Sequence, residues 1–383
     1  MAFSLPQFRA ELDAWIDAHL AELTPPAPPP RTLDDDVAQM QRVKSILFDA
    51  GWMRWGWPER VGGLGGSPML RTELGAALAG RGLADPGLFS LLEVLAPTLI
   101  DFAPPDLAAE VVPRLHSGAE MWCQGFSEPG SGSDLASLAC RAVPDGDGAL
   151  ASAWIVNGQK VWTSLAQYSD RCVLLTRTGP ADSRHRGITA FFIDMDTPGI
   201  TVAPIEMING IPEFAEVFFD DVVVPADRVL GEVNAGWAVA MSILPYERSS
   251  CFWQRIAYLY RRLQMLVDVV PDDGHAAAVV GDAFLQLHEL RARSRITQHR
   301  LADGATLGPE TSIDKVLVAT AEHAVYDAVR TLLPGVVETD DSVAGEMWRT
   351  EYLYSRAATI YGGTAEVQRN IIARRLLDLG DDR

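Results

Sequence analysis

The sequence predicts an α+β multidomain chain in three consecutive parts: helical over 1–121, β-rich over 122–233 and helical again over 234–383. Three observations carry this. Apolar residues recur at helical spacing near the N-terminus; short β-branched and aromatic runs broken by Gly, Pro and Asp fill the middle; and helical patterning returns from Gly236 onward. With 383 residues the chain is long enough for two or three domains and a sizeable core, which excludes a single small module. No internal repeat is evident.

Taken in order, Phe8, Leu12, Trp15, Ile16, His19 and Leu20 mark a first helix between Leu5 and Leu20. Thr24-Pro-Pro-Ala-Pro-Pro-Pro30 breaks it and reads as a connector rather than a docking motif, since proline cannot continue the helix. Helices follow over 34–50, 67–80 and 86–102, and the pattern ends near Glu120. The runs 151–156 and 159–163 flank Asn157-Gly158, the pair best suited to a two-residue type I′ turn, so a hairpin is expected there with Trp162 and Thr163 on its second strand. Further strands are expected over 171–176, 187–194, 201–205 and 216–220.

A formal charge of −19 argues against a nucleic-acid-binding face, which needs Lys and Arg to neutralise phosphates. The four cysteines, Cys123, Cys140, Cys172 and Cys251, show neither Cys-x-x-Cys spacing nor a neighbouring His cluster, and read as small core residues. The seven histidines are scattered, so no metal set is expected. The N-terminus lacks a basic stretch followed by an apolar one, and no run reaches about 18 uninterrupted apolar residues, so the expectation is a soluble cytoplasmic protein with no membrane partner.

The decapeptide Gly125-Phe-Ser-Glu-Pro-Gly-Ser-Gly-Ser-Asp134 follows an apolar run and combines three glycines, three serines and two carboxylates. Such a segment suits a cofactor cradle, because glycines let backbone approach a ring or phosphate while hydroxyls and amides donate to anionic oxygens; a solvated turn has the same composition. Joined to the Trp162-Thr163 pair, it resembles the signature of the acyl-CoA dehydrogenase family, Ser/Thr-Glu-x-x-small-Gly-Ser-Asp, met by Ser127, Glu128, Ser131, Gly132, Ser133 and Asp134. Tyr361-Gly-Gly-Thr-Ala-Glu-Val-Gln-Arg-Asn-Ile-Ile-Ala-Arg374 resembles the family's C-terminal flavin-contacting motif, and Gly51-Trp52 with Trp57–Gly65 a loop of its N-terminal domain. The resemblance therefore runs nearly end to end. It implies a small β-barrel between an N-terminal helical domain and a C-terminal four-helix bundle.

The resemblance also implies FAD as cofactor, an acyl-CoA substrate and an electron-transfer acceptor. Phe126, Ser127, Gly132 and Ser133 would contact the flavin and pyrophosphate, with Ser133 also near the acyl-CoA; Trp162 and Thr163 would lie on the flavin near N5; Thr364 and Glu366 would reach the FAD, and Arg374 the substrate nucleotide. Glu128 and Asp134 are expected to hold the loop through backbone N–H groups. The reaction needs a carboxylate base for the α-proton while the β-hydride leaves for the flavin. Most members place a Glu directly after the Tyr of the C-terminal motif, where this chain has Gly362. A minority carry the base on a helix in a Glu-Arg pair, matched by Leu244-Pro-Tyr-Glu-Arg248. Glu247 alone also reads as a solvated helix carboxylate; the resemblance makes it the catalytic candidate, and Arg248 the substrate-binding cation. Pro245 is expected to bend the chain just before the pair.

Two family elements that approach a neighbouring subunit's FAD are missing: Arg-x-x-Phe-Gly, where Cys251–Leu263 stands, and Gly-Gly-x-Gly-Tyr, where Leu332–Gly345 stands. These departures resemble bacterial members that act on bulky CoA esters such as steroid side chains, as α2β2 assemblies with a paralogue; a homo-oligomer is the alternative. Two other readings stay open: a flavoprotein acting on a carrier-protein thioester or as a monooxygenase, and a non-catalytic partner subunit.

Overall fold

The computed structural model describes residues 3–26, 31–146, 152–305 and 307–380. Residues 27–30 of the proline-rich connector, and Ala151 of the expected hairpin, lie outside them. Along the chain, helices α1 (Leu5–Ala18), α2 (Leu20–Leu23), α3 (Leu33–Asp49), α4 (Met69–Arg81), α5 (Pro86–Phe102) and α6 (Pro105–His116) precede eight strands. These are β1 (Trp122–Gly125), β2 (Arg141–Pro144), β3 (Ala153–Ser164), β4 (Arg171–Arg177), β5 (Ile188–Asp194), β6 (Ile200–Ile205), β7 (Phe214–Pro225) and β8 (Val229–Leu230). Helices α7 (Gly236–Glu247), α8 (Ser250–Val267), α9 (Gly274–Ala302), α10 (Thr311–Leu332), α11 (Val343–Ser355) and α12 (Ala365–Ile371) follow. Two compact units result, one formed by Met1–Ser90 with Pro245–Arg383, the other by Leu91–Leu244.

In the first unit several helices start at side-chain caps. Ser4 accepts from Gln7 N, Thr32 and Asp35 form a capping box, and Asp273 and Ser342 cap α9 and α11. Phe8, Leu12 and Ile16 are the buried stripe of α1. The C-terminal helices α8 to α11 enclose a core that includes Phe252, Leu259, Leu287, Val325 and Trp348. Inside that bundle a buried charged network ties three helices: Arg255 to Glu322 at 2.5 Å, Arg262 to Glu351 at 2.9 Å, and Tyr326 Oη to Glu351 at 2.7 Å. Such a network is costly to desolvate but fixes the relative register of α8, α10 and α11 when its members are paired.

The second unit is built on a sheet in the order β6-β7-β3-β2-β4-β5-β8, with β1 added in parallel beside β4. Cys123, Cys140 and Cys172 are buried in its core with Val156, Leu174, Phe191 and Val217, and Cys251 is buried on α8, as the reading of cysteines as core residues anticipated. The expected hairpin does not form. Residues 153–164 make one continuous strand, with β2 on one side and β7 on the other. Asn157-Gly158 runs on within the strand and faces a bulge in β7: between Val156 and Gly158 the register shifts by one extra β7 residue, Asp221 takes φ +49°, and the Asn157 side chain donates to Asp221 Oδ1 and accepts from Asp221 N, each at 2.9 Å, instead of turning. Gly158 has φ +145°, and a Cβ there would lie 2.7 Å from Cys140 Cα, so close approach of β2 is what requires the glycine.

Candidate active site

Two clusters of the residues singled out above are assembled, each within its own unit. In the sheet unit, the loop after β1 is held against β3. Val161 N donates to Ser127 O at 2.9 Å, and Lys160 Nζ donates to Phe126 O at 3.1 Å. Glu128 locks the loop from beneath, its carboxylate accepting from Ala139 N at 2.6 Å, Cys140 N at 2.9 Å and Lys160 Nζ at 2.7 Å. The backbone-holding role expected of Glu128 is therefore found. Asp134 differs: its carboxylate pairs with Arg184 at 2.5 Å, with both side chains more than half exposed, so an available surface guanidinium has taken the place of backbone N–H groups. Phe126 is buried, Ser127 half-buried, and Gly132 and Ser133 exposed.

The second register shift of β3, between Lys160 and Thr163, ejects Trp162 from the sheet. Trp162 has φ +59° and is 59% exposed, with its indole edge-on to Phe214 at 6.0 Å. It is not a core residue. A bulged, left-handed aromatic on an exposed surface is costly, which makes Trp162 a candidate binding position. Thr163, next to it, is buried, and its Oγ1 has no hydrogen-bond partner among the described residues. A buried hydroxyl left unsatisfied calls for an external acceptor or donor.

In the helical unit, α7 contains Pro245 and ends at Glu247, so the Glu-Arg pair falls at the break between α7 and α8 rather than within a helix. Glu247 is half-buried, and Arg248 is buried. Arg248 Nη2 donates to Gly362 O at 3.2 Å, as does Gln368 Nε2 at the same distance, fastening the pair to the C-terminal motif. Gly362 has φ +61°, and a Cβ built on it would lie 2.6 Å from Glu247 Oε1 and 3.6 Å from Lys315 Cε. The carboxylate of Glu247 thus fills the space into which any side chain at position 362 would project. Arg248 Nε is buried without a partner, and burial lowers the guanidinium's pKa from its ordinary value, with Glu247 opposing the fall.

Thr364 is the N-cap of α12, accepting from Val367 N at 3.3 Å; Glu366 is exposed in its first turn. Arg374 lies on the π-turn after α12, exposed, beside a groove formed with Val367, Asn370, Ile371 and Arg375. Sequence reasoning missed two residues, Lys160 and Lys315. The available signal was a lysine at an inward position: Lys160 shares the inner face of β3 with Val156, and Lys315 lies three and ten residues before the buried Val318 and Val325 of α10.

Among the described residues no helix is long and apolar enough to cross a membrane. The model of the acyl-CoA dehydrogenase middle domain matches residues 123–222, and that of the C-terminal domain residues 234–377. The chain is 37% identical to acyl-CoA dehydrogenase IpdE1 of Mycobacterium tuberculosis (strain ATCC 25618 / H37Rv), covering 97% of each protein. Among solved structures, the Tcur3481-Tcur3483 steroid ACAD superposes with a TM-score of 0.83 at 26% identity, covering 99% of this chain and 98% of that one. The ChsE4-ChsE5 complex from Mycobacterium tuberculosis superposes with a TM-score of 0.81 at 25% identity, each chain fully covered. The domain matches span the sheet and the C-terminal helices, and the relative adds similarity over 97% of the chain: this chain belongs to the acyl-CoA dehydrogenase family.

Proposed function

We propose that the protein dehydrogenates an acyl-CoA thioester between its α and β carbons, with Glu247 as the α-proton base and FAD as cofactor. The observation that carries this reading is Glu247 Oε1 standing 2.6 Å from the Cβ position of Gly362: one carboxylate takes the place that a side chain at 362 would take. The residues present fit the cofactor. Trp162 offers an exposed aromatic face for ring contact, Thr163 Oγ1 is a buried hydroxyl in need of a partner, and a Cβ on Gly132 would meet nothing, leaving the loop open on its outer side. When bound, FAD supplies the acceptor for the β-hydride at its N5.

Phe126, Ser127, Gly132 and Ser133 would hold the flavin and pyrophosphate; Thr364 and Glu366 match family positions that reach FAD. Arg248, braced on Gly362 O with Nε unpaired, orients the thioester so that the α-carbon faces Glu247; Ser133 and Arg374 hold more distal parts of the acyl-CoA. Half-burial limits water around Glu247, which keeps the proton transfer local. Glu247→Gln preserves shape and removes the base, so the rate of flavin bleaching by an acyl-CoA should fall by about 10²–10⁴-fold. An unchanged rate in that variant removes Glu247 from the mechanism.

The substrate class and assembly extend the same reading: a bulky acyl-CoA such as a steroid side-chain ester, handled by an α2β2 assembly with a paralogue. The absent Arg-x-x-Phe-Gly and Gly-Gly-x-Gly-Tyr elements support this, as does similarity to a steroid ACAD and to a two-component complex. Co-expression with a neighbouring paralogue should give a flavin-loaded heterotetramer, with flavin-poor protein when the chain is made alone. Light scattering with absorbance decides it; a homotetramer carrying four FAD overturns the heteromer and leaves the dehydrogenase intact.

A further inference from the structure

The chain contains only three lysines, Lys44, Lys160 and Lys315, and all three are buried. Lys315, on α10, is 1% exposed. Its Nζ donates to Ala358 O at 2.5 Å and sits 4.0 Å from the centroid of the Tyr361 ring, a face that attracts cations. Neither contact neutralises the charge. The groups that act on it are Glu247, beside Gly362; Arg248, next in the chain; and Glu322, two turns on along α10. Glu322 is already paired with Arg255 of α8 at 2.5 Å. Glu247 makes no hydrogen bond or ion pair among the described residues. Of the two carboxylates, it is the one without a hydrogen-bonded or ion-paired partner among the described residues.

We propose that Lys315 is a positioning residue for Glu247: its ammonium, fixed between Ala358 O and the Tyr361 ring, is a countercharge that keeps the carboxylate directed into the space beside Gly362. The inference rests on Glu247 being the base. Burial pulls the Lys315 pKa down to about 8, with Glu247 and Glu322 opposing the fall and Arg248 adding to it. The countercharge is therefore present below about pH 8 and lost above it.

The first test needs no substrate. In protein labelled with ¹³Cε-lysine only three resonances arise, and Lys315→Arg identifies one of them. In flavin-loaded wild type that resonance should titrate near pH 8, and in Glu247→Gln at lower pH, because a charge favouring the ammonium is gone. An unchanged titration overturns the inference. The second test follows flavin bleaching by octanoyl-CoA and cholanoyl-CoA between pH 6 and 10. Lys315→Met should be slower than wild type by tenfold or more at pH 6.5 and converge with it above pH 9, where lysine too is neutral, whereas Lys315→Arg should keep the wild-type rate at pH 6.5. A wild-type-to-Met ratio constant across pH shows a merely structural lysine. Should the Met variant not fold, the wild-type-to-Arg ratio decides: it changes across pH 8 if the charge matters and stays flat if it does not. Wild-type bleaching in Glu247→Gln would sink the base itself, whereas its loss with an unmoved Lys315 titration sinks only the role of the lysine.

Discussion

Each unit of the molecule contains a buried lysine near a glutamate, and the two are used in opposite ways. Under the loop of the sheet unit, Lys160 Nζ meets Glu128 Oε1 at 2.7 Å, and the same carboxylate accepts two backbone N–H groups, so its charge is fully shared. In the helical unit, Lys315 is held by a carbonyl and an aromatic ring, while Glu247 is left without a hydrogen bond. A closed network of this kind fixes backbone, because any movement breaks several charge-assisted bonds together. An open pair leaves a carboxylate able to accept a proton. The difference separates the scaffold pair from the proposed catalytic one more sharply than burial does, since both lysines are nearly inaccessible.

The largest expected effect comes from opening the closed pair. Lys160→Met would leave Glu128 buried beside Cys140 without its cation, and breaking a buried ion pair from one side costs about 3–5 kcal/mol. Chemical denaturation should report that loss, and the FAD-to-chain ratio should fall with it as the Phe126 carbonyl loses its tether. If the variant melts with the wild type, the Glu128–Lys160 pair is not what holds the loop.

Much of this organisation was legible in the sequence, for identifiable reasons. Helices α1, α3 and α5 have amphipathic spacing or firm boundaries, and β4 and β5 are short apolar runs between turn formers, so local pattern and tertiary fate agree. Asn157-Gly158 misled because a local turn signal was overridden by pairing: β2 and β7 engage β3 on both sides of it, and the glycine serves an approach to Cys140. The loop and the Glu-Arg pair were legible only through family resemblance. Nothing local joins Lys160 to a glutamate 32 residues away, or Lys315 to a carboxylate at the end of α7; those partnerships are made by the fold. The exposure of Trp162 was likewise invisible, because alternation cannot foresee a bulge that ejects one residue from the pleat.

A smaller perturbation sharpens the comparison from the open side. Gly362→Ala adds one methyl group at φ +61°, where a non-glycine residue is disfavoured, so stability should fall by only about 1 kcal/mol. That methyl would nevertheless arrive 2.6 Å from Glu247 Oε1, and the end of a side chain can swing away where backbone cannot. Displacing the carboxylate by about 1 Å is enough to cost on the order of 10²-fold in rate. The expected signature is a small shift in denaturation midpoint with a large loss of flavin bleaching, the reverse of the balance expected for Lys160→Met, where stability and flavin retention fail together. A Gly362→Ala enzyme that bleaches at the wild-type rate would mean that the space beside residue 362 is not where Glu247 works.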